Sequence, residues 1–187
     1  MSVARNLLMH SFGRPQGFLG RLGGVIMARM NAECGAWVTD LIEVEPSDRV
    51  LEIGFGPGVV IQLLSKLTPV GNVAGIDSSL EMVEQARARN AIAIESGHAD
   101  LRHGSVERLP FDENSFDKAL AINSMHVWPD AVAGLREMGR VIKQGRGIAL
   151  GFPEAFGQGR RGDRDALEHA SFRMVAAKKL IRQLDQR

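Results

Sequence analysis

Val50-Leu51-Glu52-Ile53-Gly54-Phe55-Gly56-Pro57-Gly58 is the stretch that decides the fold of this chain. A short apolar run suited to a buried strand leads into three glycines spaced G-x-G-x-G. Val59, Val60, Leu63, Leu64 and Leu67 then follow at helical spacing. A strand, a glycine turn and a helix in that order suit ligand binding. Glycine allows φ > 0 and close approach of the backbone, and a helix start offers unpaired N–H groups to an anion. The spacing is not the G-x-G-x-x-G of dinucleotide sites, whose last glycine serves close packing of helix on strand. Taken alone, the run also fits a merely tight strand-to-helix turn.

Outward from the turn, strands and helices alternate. Pro69 and Gly71 end the first helix, and Val73 to Ile76 read as a second strand. Ser78 or Ser79 caps a helix running to about Asn90. His98 to His103 contain a third strand, and Phe116 to Ile122 form a fourth. Val132, Leu135, Met138 and Ile142 mark an amphipathic helix. Gln144-Gly145-Arg146-Gly147 reads as a turn before a fifth strand, Ile148 to Phe152. Upstream, residues 1–20 read as an irregular lead-in and 21–42 as helix, ending before the turn cluster Glu45-Pro46-Ser47-Asp48. The alternation predicts an α/β fold: a Rossmann-like, doubly wound, mostly parallel sheet with helices on both faces. Ligands of such sheets bind beyond the carboxyl ends of the strands, so the loops after Ile53, Ile76, His103 and Ile122 should meet at one site.

Composition agrees with a soluble globular chain. The 187 residues suffice for a single domain: an N-terminal segment over 1–42, a core over 48–152 and a tail over 153–187. A net charge of +1 gives no reason to expect a nucleic-acid or membrane partner. Cys34 stands alone, which rules out an internal disulfide and fits a reducing compartment. No apolar run is long enough to span a bilayer. Residues 1–30 carry Arg5, Arg14, Arg21 and Arg29 and no acid, yet their glycines argue against the amphipathic helix of a transit peptide. The expectation is a cytoplasmic protein.

Asp77 ends the second strand, 23 positions after Gly54. An acid about 20 residues beyond such glycines can accept bonds from both hydroxyls of a ribose, although a helix-capping acid is the competing reading. With these residues in hand the chain resembles the class I S-adenosylmethionine-dependent methyltransferases, in particular the small-molecule branch of ubiquinone and menaquinone biosynthesis. The resemblance rests on 50–58, on Gly75-Ile76-Asp77-Ser78-Ser79 with Met82, and on Gly104-Ser105-Val106-Glu107-Arg108-Leu109-Pro110-Phe111. It continues through Ser115-Phe116-Asp117-Lys118-Ala119 and Gly139-Arg140-Val141-Ile142-Lys143. These segments occur in family order and spacing over roughly residues 30–152. The resemblance implies S-adenosyl-L-methionine as cofactor. Glu52 with Gly54, Gly56 and Gly58 would surround its methionine moiety, and Asp77 would bind the ribose. Ser78 and Met82 would lie beside the adenosine, Ser105 and Val106 would flank adenine, and Asn123 would lie close to the sulfonium.

Two departures from the family pattern stand out. Ser105 occupies a position where the family usually has an acid, so a charge-assisted bond to the adenine amino group is lost and weaker cofactor binding is expected. With 35 residues after Phe152, the sheet is also expected to be shortened relative to the seven-stranded family fold. Asp165-Ala166-Leu167-Glu168 resembles a helix start, and an apolar stripe from Leu167 to Leu184 predicts helix over 165–184. The competing reading makes Ser171 to Ala177 a remnant of the last family strand. Either way the exposed sheet edge needs a cover, from the tail or from a second copy in a homodimer.

Asn123-Ser124-Met125-His126-Val127-Trp128 should line the acceptor side. His126 is the candidate general base, against a packed or substrate-orienting histidine. The Asn-Pro-Pro-aromatic run of amino-nucleobase methyltransferases is absent, which favours a small-molecule acceptor over a nucleic acid. His98, Asp100 and His103 form no familiar ligand pattern, so no metal is expected. Phe12, Phe18, Leu19, Leu22, Ile26, Met27 and Met30 suit an apolar lid over the acceptor pocket or simple packing of a leading helix. The rival functions are a cofactor-binding protein without methyl transfer and a nicotinamide-dependent oxidoreductase. Both the glycine spacing and the Leu109-Pro110-Phe111 segment go against the latter.

Overall fold

A computed structural model describes residues 32, 34–153 and 172–176. The predicted lead-in and apolar lid, and most of the tail, lie outside these residues. A helix over 34–41 (α1) precedes β1 (Arg49–Ile53), α2 (Val59–Leu67), β2 (Asn72–Asp77), α3 (Leu80–Arg89), the short α4 (Ala91–Glu95) and β3 (Ala99–His103). Next come β4 (Phe116–Ile122), a 3-10 turn (Met125–Val127), α5 (Ala131–Val141), β5 (Ile142–Pro153) and β6 (Phe172–Ala176). No helix of the described residues is long and apolar enough to cross a membrane.

The strands form one sheet in the order β3-β2-β1-β4-β5-β6. The first five run parallel, with Ile53 opposite Ile76 and Leu51 opposite Ala119, and β6 runs antiparallel to β5. The chain starts at the centre, steps outward through β2 and β3, then returns to the other side of β1. The loops after β1 and β4 therefore diverge and leave a crevice between them.

Helices cover both faces, which is why the central strands are nearly continuous apolar runs rather than alternating ones. One face packs Leu51, Ile53, Ala74, Ile76, Ala119 and Leu150 against Leu135, Met138 and Val141 of α5. The other packs Val50, Val73, Leu101 and Leu120 against Cys34 and Val38 of α1, Val60, Ile61 and Leu64 of α2, and Val83 and Ala86 of α3.

Two local expectations change. Gln144 to Gly147 form a bulge inside β5 rather than a turn before it, because the register jumps from Phe116 opposite Ile142 to Lys118 opposite Gly147. Gly145 takes the positive φ of 83° that the extra residues demand. The detour brings Lys143 and Arg146 to Asp117, which also accepts the Arg49 N–H at 3.1 Å. Burial would raise the Asp117 carboxyl, but these donors and cations hold it below its ordinary value.

The second change concerns the tail. Residues 172–176 are a strand rather than part of the helix expected over 165–184, as the competing reading of Ser171 to Ala177 had it, and they pair with Ala149–Pro153. Phe172-Arg173-Met174-Val175-Ala176 holds a single polar residue, and so short an apolar run does not separate strand from helix by periodicity. The free N–H and C=O groups of β5 favour the strand, and the cover for this edge comes from the chain itself.

Gly58 begins α2 with φ 76° and carries no side-chain cap. A Cβ there would fall 2.6 Å from Asn90 Nδ2 and 2.7 Å from Ala86 Cβ. Asn90 is buried and donates to Gly58 O at 3.0 Å and Ala86 O at 2.8 Å, tying the start of α2 to the end of α3. Gly58→Ala combines a left-handed alanine with overpacking. It should lower unfolding free energy by about 2–4 kcal/mol in urea denaturation.

Candidate functional site

The crevice at the carboxyl ends of β1, β2, β3 and β4 gathers most of the residues singled out from the sequence. The glycine turn leaves β1 with Gly54 and Gly56 at φ 71° and 52°. The Gly54 N–H bonds Ile76 O at 2.8 Å, and a Cβ at Gly54 would collide with the Ser124 side chain. Among the described residues nothing lies within 4 Å of a Cβ built on Gly56, so that side of the turn is open to a ligand.

Two carboxyls face this region from inside the protein. Asp77 ends β2 and is buried. Its Oδ2 accepts the Gly56 N–H at 2.9 Å and its Oδ1 accepts the Ser79 N–H at 2.8 Å. A carboxylate has about four lone-pair directions, so Asp77 keeps acceptor capacity after these two bonds. Burial raises its pKa, while the N–H donors and nearby His103 pull it back. Glu52 is 2% exposed, and among the described residues its Oε2 has no hydrogen-bond partner. Its carboxyl is pushed well above the ordinary range, first by burial and second by the charge of Asp77. An orphaned buried carboxyl beside another is costly unless a donor or a cation arrives to satisfy it.

The remaining predicted positions flank this centre. Ser79, rather than Ser78, caps α3 by accepting the Met82 N–H at 3.3 Å. Ser78 is exposed, its carbonyl 3.1 Å from His103 Nε2, and Met82 is buried. Beyond β3, Gly104 N–H bonds Asp77 O at 2.9 Å, which brings the loop carrying Ser105 and Val106 beside β2. Val106 is buried in the α5-side core and Ser105 is half-buried. Asn123 follows β4 in the left-handed region, φ 52°, with its N–H on Gly151 O at 2.9 Å. His126 sits exposed on the 3-10 turn that follows Asn123, so it is not a packed core histidine. Trp128 packs against the core, and Gly134 leaves room for its ring next to Val106.

No three His, Cys, Asp or Glu side chains among the described residues converge on a metal-sized position. Asp100 instead pairs with Arg102 at 2.6 Å.

Three features escape a reading of the sequence. The Ser124 hydroxyl donates to Ile53 O at 2.8 Å and locks the end of β4 to the end of β1. The Ser105 hydroxyl donates to Glu107 Oε2 at 3.0 Å. The third is a brace from α5. Glu137 accepts the Leu109 N–H at 2.9 Å, and Arg140 donates to Leu109 O and Phe111 O at 3.0 and 2.9 Å. Glu137 and Arg140 are joined at 2.7 Å, and their spacing of three on an amphipathic helix was the one legible signal of that pair.

Comparison with known proteins fits this architecture. A family model described as Methyltransferase domain matches residues 50–145. The uncharacterized methyltransferase YdaC of Bacillus subtilis is 30% identical over 129 residues, covering 69% of this chain and 69% of that protein. The ubiquinone/menaquinone biosynthesis C-methyltransferase UbiE of a Geobacter species is 34% identical over 110 residues. That match covers 58% of this chain but only 47% of the relative, so the chain spans about half of that protein's length. Among solved structures, a SAM-dependent methyltransferase from Aquifex aeolicus superposes with TM-score 0.60 at 22% identity, covering 67% of this chain and 68% of that one. That likeness speaks for the fold. The family match and the Bacillus relative go further: this chain belongs to the class I S-adenosylmethionine-dependent methyltransferases.

Proposed function

We propose that this protein transfers a methyl group from S-adenosyl-L-methionine to a small-molecule acceptor in the crevice between the ends of β1 and β4. One observation carries the reading: an open glycine turn bonded to buried Asp77, with the orphaned carboxyl of Glu52 beneath it. The family's cofactor brings an ammonium and a sulfonium, two cations, together with a ribose bearing two hydroxyl donors. The residues present fit it. Glu52 and the turn of Gly54, Gly56 and Gly58 hold the methionine moiety, and Asp77 has acceptor capacity for the ribose. Ser78 and Met82 border the adenosine, Ser105 and Val106 flank adenine, and Asn123 lies next to the sulfonium. When bound, the cofactor supplies a methyl group already activated for in-line displacement.

The protein's part is to align the acceptor, exclude water and take up a proton where the acceptor carries one. His126 is assigned that last role, because it is exposed on the turn after β4, where an acceptor would approach. Trp128 forms a wall of the same side. A small acceptor is favoured by the missing Asn-Pro-Pro-aromatic run and by the named activity of the Geobacter relative. A second copy is not needed to cover β5, since β6 pairs with it.

Calorimetry with S-adenosylmethionine, S-adenosylhomocysteine and NAD tests the cofactor. The first two should bind and NAD should not, and tight NAD binding alone would sink the proposal. Asp77→Ala should weaken S-adenosylhomocysteine binding by about 1.5–3 kcal/mol, the range for hydrogen bonds to a charged group.

Glu52→Gln separates stability from binding. A carboxyl whose pKa is raised on folding contributes stability below its ordinary pKa of about 4.5 and loses it as pH rises toward the raised value. Without ligand, the uncharged variant should therefore be more stable than the parent at pH 7.5. That advantage should vanish at about pH 4.5 in urea titrations, while affinity for S-adenosylhomocysteine falls.

Methyl release in the presence of an acceptor panel distinguishes turnover from binding alone. With an accepted substrate, His126→Ala should lower kcat by about 10²–10⁴ and leave S-adenosylhomocysteine affinity within about twofold. Unchanged kcat would remove His126 from proton transfer.

A further inference from the structure

Ser105, where the family usually has an acid, bears on how the cofactor proposed above is held, and the inference rests on that reading. The ends of β4, β1, β2 and β3 lie in a row. On that reading, a nucleoside whose ribose is held at Asp77 has its base beside Ser105 and Val106, at the neighbouring end of β3. The first residues beyond that end are Gly104, bonded to Asp77 O, and Ser105.

Ser105 does not stand alone. Its hydroxyl donates to Glu107 Oε2 at 3.0 Å, and the Glu107 N–H reaches the same hydroxyl at 3.4 Å. A hydroxyl has one proton and two lone pairs. Here the proton is committed to the carboxylate and one lone pair to a backbone donor. What remains for a ligand is a single lone pair, on an oxygen polarised by its bond to an anion. Such a group accepts a hydrogen bond and has no proton left to give.

We propose that Ser105 and Glu107 together form the acceptor for the exocyclic amino group of adenine. In this pair Ser105 makes the contact, and Glu107 is a positioning residue that acts through the Ser105 hydroxyl. The arrangement returns the charge assistance that a serine alone lacks, so the replacement of the family's acid does not weaken binding. It also sets a preference among purines. An amino group presents a proton to the free lone pair, whereas a 6-oxo group presents a second acceptor and the two repel. The brace from Glu137 and Arg140 and the bond from Arg102 to Pro110 O at 2.8 Å hold the loop in place while the pair does this.

The test is calorimetry with S-adenosylhomocysteine and its 6-oxo analogue, S-inosylhomocysteine. The parent protein should prefer the amino ligand. Glu107→Ala should weaken S-adenosylhomocysteine about tenfold, the margin of a charge-assisted over a neutral bond. It should leave the 6-oxo ligand unchanged or bound more tightly, so the preference collapses. Adding Ser105→Asp to Glu107→Ala should restore both affinity and preference. In turnover, Glu107→Ala should raise KM for the cofactor and leave kcat unchanged. Equal weakening of both ligands, or no effect on either, overturns the assignment while the cofactor reading stands. Failure of the parent protein to bind S-adenosylhomocysteine overturns the cofactor reading itself, and this inference with it.

Discussion

The hydrogen bond from the Gly56 N–H to the buried Asp77 carboxylate is the constraint on which the site depends. It joins the turn after β1 to the end of β2 across 21 residues of sequence. It fixes the turn in its left-handed conformation and at the same time aims a carboxylate into the crevice. Gly54, pinned by Ile76 O and crowded by Ser124, secures the other side of the same turn. Since the Ser124 hydroxyl is bonded to Ile53 O, the segment after β4 is registered to the glycine turn as well. Three strand ends thus hold one another, and the geometry of the crevice follows from backbone contacts more than from the side chains that line it.

The electrostatics of the crevice run against folding and toward ligand binding. Glu52 and Asp77 both have raised pKa values, burial being the first cause in each. Only Asp77 is compensated, by N–H donors. Among the described residues no donor reaches Glu52 Oε2, and that unsatisfied oxygen is the clearest sign of capacity for a partner from outside them. At the opposite end of the sheet Asp117 shows the contrasting case: a buried carboxylate surrounded by Arg49, Lys143 and Arg146, held below its ordinary value. The same residue type, similarly buried, serves structure at one pole and leaves capacity for a ligand at the other.

Much of this was legible in the sequence where the signal is local. Val50 to Ile53, Val73 to Ile76 and Phe116 to Ile122 are apolar runs long enough for buried parallel strands, and the residues after them must fall at the carboxyl edge. Topology therefore carried the loops that hold the glycines, Asp77, Ser105 and Asn123 to one region, while Glu52 was legible only through the family resemblance. What was not legible depends on partners distant in sequence. The Gln144–Gly147 bulge looks like a turn because glycine and polar residues also serve bulges, and only Asp117 explains why the strand continues through it. The strand at Phe172–Ala176 is selected by the free edge of β5, which no window around residue 172 contains. Ser124 and Glu107 are ordinary polar residues until their acceptors are known.

The brace from α5 has a consequence for how such a protein changes over time. Arg140 grips the loop by the carbonyls of Leu109 and Phe111, Arg102 by that of Pro110, and Glu137 by the N–H of Leu109. All four attachments are to backbone atoms, which every substitution except one to proline at 109 preserves. The path of the loop is thus insulated from the identity of its side chains. Residues 105, 107 and 108, which flank the core residue Val106, can be exchanged and tried against new ligands without the scaffold having to be rebuilt.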